Sequence, residues 1–122
     1  MKLLKIFLEL RQDRQDPAKY RLTYDIIEYE VLKTTAINYI LRYEFQGQKT
    51  RLLEKDKLMR PGEYGPDPYH VLCSIWCQEE DLEEAKNALK DAMEKAIGRQ
   101  QEFHKNQARK YEGYAALMGK LS

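Results

Sequence analysis

His70, Cys73 and Cys77 are the residues of this chain whose types and spacing could do chemistry, because imidazoles and thiolates bind zinc and form nucleophilic pairs. They form the pattern His-x2-Cys-x3-Cys, and the chain has no other cysteine. In an extended strand, residues four apart are separated by about 13 Å. That distance is too long for a disulfide or for two thiolates on one zinc ion. We therefore expect two buried, reduced thiols, with a reactive or metal-binding thiol as the alternative.

Catalytic motifs give no support for an enzyme. His70 and Cys73 would point to opposite faces of a strand, which disfavours a Cys/His nucleophilic pair. The sequence has no nucleotide-binding glycine loop, GxSxG elbow, HExxH helix or EF-hand loop. We therefore predict no catalytic residues, no bound metal and no cofactor. A small enzyme with Cys/His chemistry is the weaker alternative.

Alternating apolar and polar residues predict that a β-sheet positions these side chains. Residues 4–10 are apolar at every even position, which predicts a strand with one buried face. Residues 20–33 predict a longer strand whose apolar set changes parity at Ile26 and Ile27. A one-residue insertion would produce that change, so we expect a β-bulge there.

The next segments extend this sheet into an antiparallel meander. Residues 37–45 alternate clearly and are followed by Gly47, which suits a short hairpin. Residues 49–53 are more charged, as edge strands often are. Residues 61–68 hold three of the four prolines and predict a loop. Residues 69–77 have apolar side chains on both parities, which predicts a strand covered on both faces.

From Asp81 to Leu121 the apolar period becomes helical and no proline occurs. Such a helix of about 40 residues is about 60 Å long, and it could break near Gly98 or Asn106. The predicted fold class is therefore α+β: an antiparallel, meander-based sheet of four or five strands plus one long C-terminal helix. We expect residues 1–122 to form a single domain, with the sheet in 1–77 and the helical part in 78–121.

The predicted helix is longer than the predicted sheet. A ten-residue strand spans about 33 Å, so residues 79–97 are enough to cross the sheet. Residues 98–121 then need another partner, because isolated helices of this length are marginal in water. They could fold back as a second helix, pair with a second copy, or be ordered by another protein; we predict a homodimer. The candidate interface residues are Phe103, Tyr111, Tyr114, Leu117, Met118 and Leu121.

Charge is divided along the helical part, although the whole chain has a net charge of only +1. Residues 78–94 contain seven acidic and two basic residues, a net charge of −5. Residues 95–122 contain six basic and two acidic residues, a net charge of +4. Antiparallel pairing of two copies would bring opposite charges together. Alternatively, the acids at the start of the helix only complement its dipole.

Two basic stretches make nucleic-acid binding the main alternative function. The first lies on the distal helix, close to tyrosines that could stack on bases. The second lies between residues 49 and 60 and is interrupted by Glu54 and Asp56. The distal residues are Arg99, Lys105, Arg109 and Lys110, and those of the second stretch are Lys49, Arg51, Lys55, Lys57 and Arg60.

The first ten residues, MKLLKIFLEL, look like a signal peptide but differ from one. Lys5 and Glu9 interrupt the apolar run, and no cleavage site of small residues follows. No window approaches the roughly 18 uninterrupted apolar residues of a membrane span. We therefore expect a cytoplasmic protein without membrane contact.

The whole chain is similar to small accessory proteins of phages and mobile elements. The likeness lies in a short sheet-plus-helix sequence that is rich in Tyr, Lys and Glu and has no catalytic motif. Some of those proteins inhibit host defence nucleases by binding them, as anti-CRISPR inhibitors do. The resemblance implies an inhibitor or adaptor, so we predict a non-catalytic protein–protein interaction module.

Overall fold

The computed structural model describes residues 1–16, 18–64 and 69–121, and it is an α+β fold as predicted. One six-stranded antiparallel sheet has the strand order β4-β3-β2-β1-β6-β5, and one long helix follows it. The sheet therefore has one strand more than the upper limit that we predicted. The elements are β1 (Lys2–Gln12), β2 (Tyr20–Thr34), β3 (Asn38–Phe45), β4 (Gln48–Glu54), β5 (Gly62–Tyr64), β6 (His70–Gln78) and α1 (Leu82–Leu121).

The additional strand, β5, lies in the segment 61–68 that was predicted to be entirely loop. Gly62 pairs with Ser74 and Tyr64 with Leu72, so β5 forms the sheet edge beside β6. Proline stops a ladder only where it occupies the strand, and the three residues of β5 contain none. Residues 65–68 of the predicted loop, like Pro17, lie outside the described residues.

The predicted bulge at Ile26 and Ile27 is wrong. The β1–β2 ladder runs without interruption from Lys2↔Glu30 to Gln12↔Tyr20. The apolar set of β2 changes parity because Ile26 packs on the core beneath α1, whereas Tyr29 and Val31 pack on a core at the opposite face of the sheet. The register shift in β2 occurs later, between Val31 and Lys33, where the strand pairs with β3.

Two hydrophobic cores lie on the two faces of the sheet. The first, which we call the helix-side core, lies between α1 and strands β1 and β6. The second core lies where the opposite face curls upon itself and brings β3 and β4 toward β6. The helix-side core contains Leu4, Ile6, Leu8, Leu10, Val71, Cys73, Ile75, Cys77, Ala85, Leu89, Met93 and Ala96. The second core contains Leu3, Tyr39, Leu41, Leu53 and Trp76.

Several local predictions agree with the structure. β4 is an edge strand, and β6 is buried on both faces as its apolar pattern predicted. The β3–β4 hairpin turns at Gln46 and Gly47, whose φ angles of 49° and 82° place both residues in the left-handed region. Glycine adopts that region without steric cost, which explains its place in this turn.

Helix α1 is continuous from Leu82 to Leu121, so it has no break at Gly98 or Asn106. Gly98 has open space where a Cβ would lie, and a helix tolerates an exposed glycine at a cost of about 1 kcal/mol. The alternative in which residues 98–121 fold back as a second helix is therefore wrong. No helix in the described part of the chain is both long and apolar enough to cross a membrane.

Candidate interaction surface

Both thiols lie in the helix-side core, as the sequence predicted. Cys73 and Cys77 are free and buried, and burial is the main cause that raises the pKa of each thiol. A thiol with a raised pKa is a poor nucleophile at neutral pH. Among the described residues, no group of three or more His, Cys, Asp or Glu side chains is arranged to hold a metal ion.

His70 lies on the opposite face of the sheet from the thiols. Its Nε2 is 3.5 Å from Oε2 of Glu9, and the other carboxylate oxygen of Glu9, Oε1, accepts a hydrogen bond of 2.6 Å from Nε of Arg11. The Arg11 hydrogen bond is the main cause that lowers the pKa of Glu9, and His70 contributes to the same shift. The structure therefore separates the predicted pattern into two buried thiols and a partly buried histidine–carboxylate pair.

Helix α1 extends well beyond the sheet on which it packs. Its 40 residues span about 60 Å, whereas the nine residues of β6 span about 30 Å. At the end of the sheet, the His104 ring lies 5.0 Å from the Tyr69 ring and its Nε2 lies 3.4 Å from Oε1 of Gln12. Of the side chains described from 105 to 119, only Gln107 is partly shielded from solvent. We call residues 105–121 the overhang.

The overhang continues the apolar side of α1. At 100° per residue, positions 85, 89, 93 and 96 of the helix-side core and positions 103, 111 and 118 fall within about 80° of one another. Tyr111 is 75% exposed, and Leu117 and Met118 are also exposed. Phe103 lies at the edge of the sheet, with its ring 5.5 Å from that of His104. The predicted side chains of Tyr114 and Leu121 lie outside the described part of the structure.

A second apolar surface lies on β2, beside the helix. Tyr20, Leu22 and Tyr24 pair with Gln12, Leu10 and Leu8 of β1 and so share the face that carries α1. They are 67%, 53% and 49% exposed, because one helix packs mainly on β6 and β1 and reaches β2 only at its margin, where Lys86 contacts Tyr24. We call these three residues the β2 strip.

A groove of about 400 Å³ separates the β2 strip from α1. Its walls include Tyr20 and Leu22 of the strip and Ile97 and Gln100 of the helix. Sheets and helices pack at about 10 Å, and a second helix beside α1 at that spacing would lie over β2. The groove therefore lies where a second helix, packed on the sheet beside α1, would lie.

Gln100 is the unusual side chain in this groove. It is 6% exposed, and its amide oxygen and nitrogen are both buried without a hydrogen-bond partner. An unsatisfied buried amide destabilises a fold by about 1–3 kcal/mol. A single polar side chain in an apolar helix seam can also set the register of two paired helices.

We expect Gln100→Leu to raise the free energy of unfolding by about 1 kcal/mol, because it removes two unsatisfied polar atoms and retains the buried volume. The measurement is urea denaturation at low micromolar protein. The exposed neighbour offers a matched control, since Gln101→Leu should change stability by less than about 0.5 kcal/mol. A lower free energy of unfolding for Gln100→Leu would contradict the absence of hydrogen-bond partners for the Gln100 amide.

The basic residues of the distal helix do not act as one surface. Arg99 forms an ion pair with Glu63 of β5, so its charge is neutralised at the sheet edge. Lys105, Arg109 and Lys110 are exposed on the overhang. The nucleic-acid alternative thus retains three of its four predicted cations.

Sequence reasoning found the overhang but missed the β2 strip and Gln100. The signal for the strip was available, since Tyr20, Leu22 and Tyr24 share one parity. That parity predicted a buried face, and only the width of the helix leaves the strip uncovered. Helical spacing could have found Gln100, because at 100° per residue it falls on the apolar side of α1 with positions 93 and 96, whereas Gln101 falls outside that side.

Comparison of the chain with protein-family models, curated proteins and solved structures finds no match.

Proposed function

We propose that this chain is a non-catalytic protein-interaction module that forms a homodimer, in which the overhang of each copy packs on the β2 strip of the other. The observation that carries the proposal is the pairing of two exposed apolar surfaces on the same side of one molecule. Each surface is incomplete alone, and a two-fold axis would cover both at once.

The size of the surfaces supports this arrangement. Each copy would contribute the aromatic rings of Tyr20 and Tyr24 from the strip and of Phe103 and Tyr111 from the helix. An aromatic side chain buries about 150–250 Å². The four are 37–75% exposed, so their exposed parts supply about half of the roughly 800 Å² per partner that a stable interface requires. Leu22, Leu117 and Met118 are also exposed and would add to this area.

Charge supports the same arrangement. The overhang carries Lys105, Arg109 and Lys110, and the proximal half of α1 carries Glu83, Glu84, Asp91 and Glu94. When two copies of α1 pass each other in opposite directions, the basic half of one lies beside the acidic half of the other. Gln100 would lie near the crossing point, where a partner side chain could satisfy its amide.

The proposal predicts that the full chain elutes with twice the mass of one chain at tens of micromolar, measured by size-exclusion chromatography with light scattering. Tyr111→Glu/Met118→Glu should elute as a monomer, since it places two charges in the apolar contact. The matched control is Asn106→Glu/Ala116→Glu, which adds the same charge at two exposed positions about 120–160° around the helix from Tyr111 and Met118 and should leave the dimer intact. A monomeric full chain at this concentration would reject the proposal.

A mixing experiment tests the arrangement within the dimer. Leu22→Glu damages the strip and Met118→Glu damages the overhang, so each variant alone should be a monomer or a much weaker dimer. A mixture retains one undamaged contact, between the overhang of the first variant and the strip of the second. We therefore expect mixed dimers in native mass spectrometry, whereas direct overhang-to-overhang pairing would give none.

The proposal includes a role as an inhibitor or adaptor that acts by covering a surface of another protein. Broad exposed surfaces can cover part of another protein, whereas enzymes bind small substrates in concave pockets. The dimer experiments do not depend on the identity of that further partner.

A further inference from the structure

The face of the sheet opposite α1 brings two cations to a single indole. Lys5 of β1 pairs with Trp76 of β6, and its Nζ lies 5.0 Å from the centroid of the Trp76 ring and 5.0 Å from that of Phe7. Arg51 reaches the same indole from β4, with its guanidinium carbon 5.5 Å from the ring centroid. The curl of the sheet therefore assembles side chains from three strands that are not all neighbours.

Neither cation has a counter-ion among the described residues. Lys5 is only 7% exposed, yet within the described ranges it forms no hydrogen bond or ion pair, and no described carboxylate pairs with Arg51. Burial, and then the positive charge of Arg51, lower the pKa of Lys5. Contacts with aromatic rings compensate only part of the lost hydration. Buried charges are normally paired, so this arrangement is typical of a site that receives a ligand of opposite charge.

A cavity of about 430 Å³ opens beside this indole, between β4 on one side and β5 and β6 on the other. Five of the eleven residues described in its wall are basic or aromatic, and Glu54 is the one carboxylate residue among them. The ring of Tyr64 is half exposed at the rim, which leaves room for a planar group. The basic and aromatic residues of the wall are Arg51, Lys57, Arg60, Tyr64 and Trp76.

We propose that this cavity binds a phosphate group. Arg51 would donate to the phosphate oxygens through its planar guanidinium, with Lys57 and Arg60 neutralising the rest of its charge. Lys5 does not form part of the wall, so it would act through the electrostatic field that it adds behind Trp76, which is strong because the site is partly dehydrated. A doubly charged phosphate matches this excess of cations better than a monovalent anion does. The site is separate from the dimer surfaces, which lie on the other face of the sheet.

Trp76 is the only tryptophan of the chain, so tryptophan emission comes from this one indole at the wall of the cavity. We expect sodium phosphate to change the Trp76 emission of the full-length protein saturably, while sodium chloride and sodium acetate at equal ionic strength do not. Arg51→Met should weaken phosphate binding at least about tenfold, because a charge-assisted hydrogen bond is lost. Lys5→Met should weaken it about threefold or more through the field alone.

Isothermal titration calorimetry supplies a second measurement, because Arg51→Met also changes the environment of the fluorophore. The matched control is Lys33→Met, which removes an exposed lysine on β2 and should leave phosphate binding unchanged. Melting by circular dichroism establishes that each variant is folded. Equal responses to phosphate, acetate and chloride, or undiminished binding by Arg51→Met, would overturn the proposal.

The same titration identifies the source of the phosphate. Adenosine monophosphate that binds more tightly than inorganic phosphate would support a nucleotide whose base contacts Tyr64. A single-stranded oligonucleotide that binds more tightly than either would support a nucleic-acid strand. Tightest binding of inorganic phosphate would support the free ion. Each of these results requires Arg51, so loss on Arg51→Met is expected in all of them.

Discussion

Leu89→Ala is expected to lower the free energy of unfolding by about 3 kcal/mol, and the melting temperature by roughly 10 °C. Leu89 is fully buried in the helix-side core, where α1 packs on β1 and β6. The backbone of a six-stranded sheet cannot move to fill the lost volume, so the substitution leaves a cavity as well as removing apolar contact. Urea denaturation of both proteins at the same concentration measures the difference.

Leu52→Ala is the matched control for that experiment. Leu52 lies on the edge strand β4 and is mostly exposed, so its truncation should cost less than about 0.5 kcal/mol. If the two substitutions had similar small effects, α1 would not be packed on the sheet as the structure has it. The overhang would then have no fixed direction, and the proposed dimer geometry would fail with it.

Lys5→Met is expected to have the opposite effect and to raise the free energy of unfolding at pH 7 by about 1–2 kcal/mol. Methionine retains the buried stem of the side chain and removes a charge that is desolvated and lies near Arg51. The same substitution weakens phosphate binding in our proposal. Greater stability with weaker binding is the combination expected when an unpaired charge is kept for a ligand.

The effect of Lys5 should also depend on pH, in a direction that its lowered pKa fixes. Between the pKa of Lys5 in the folded protein and that of an unfolded-chain lysine, about 10.4, the unfolded chain binds more protons. The amount by which Lys5 lowers the free energy of unfolding therefore becomes smaller as pH rises through this window. The advantage of Lys5→Met should shrink from pH 7 to pH 10.5 in parallel denaturation curves. An advantage that grew with pH would contradict the buried, unpaired state of Lys5.

The helix and the dimer hypothesis illustrate how far periodicity can be used. Positions 103, 111 and 118 continue the apolar side of α1 past the sheet, and their helical spacing alone predicts this. The sheet could be predicted from the same kind of signal, because alternation along a strand is local. The strand β5 could not, since three residues between prolines carry too little pattern to compete with a loop.

The burial of Lys5 could not be predicted from the alternating pattern of β1. In the sequence it occupies a polar position of an alternating strand, which predicts a solvent-exposed side chain. Lys5 is buried because the sheet curls and brings β4 over the face that carries Lys5. The alternating pattern of β1 alone predicts that this face is polar and exposed. Curvature depends on the pairing of residues far apart in the chain, so no local pattern contains it.

The sequence by itself determined the α+β class, the edge character of β4, the burial of both thiols and the length of the helix relative to the sheet. All of these depend on periods and composition within short windows. The tertiary structure alone decided that the β2 strip stays uncovered, that Arg99 is neutralised by Glu63, and that Lys5 and Arg51 meet at Trp76. These are contacts between distant segments, and their geometry is set by how strands pair and how widely one helix covers a curled sheet.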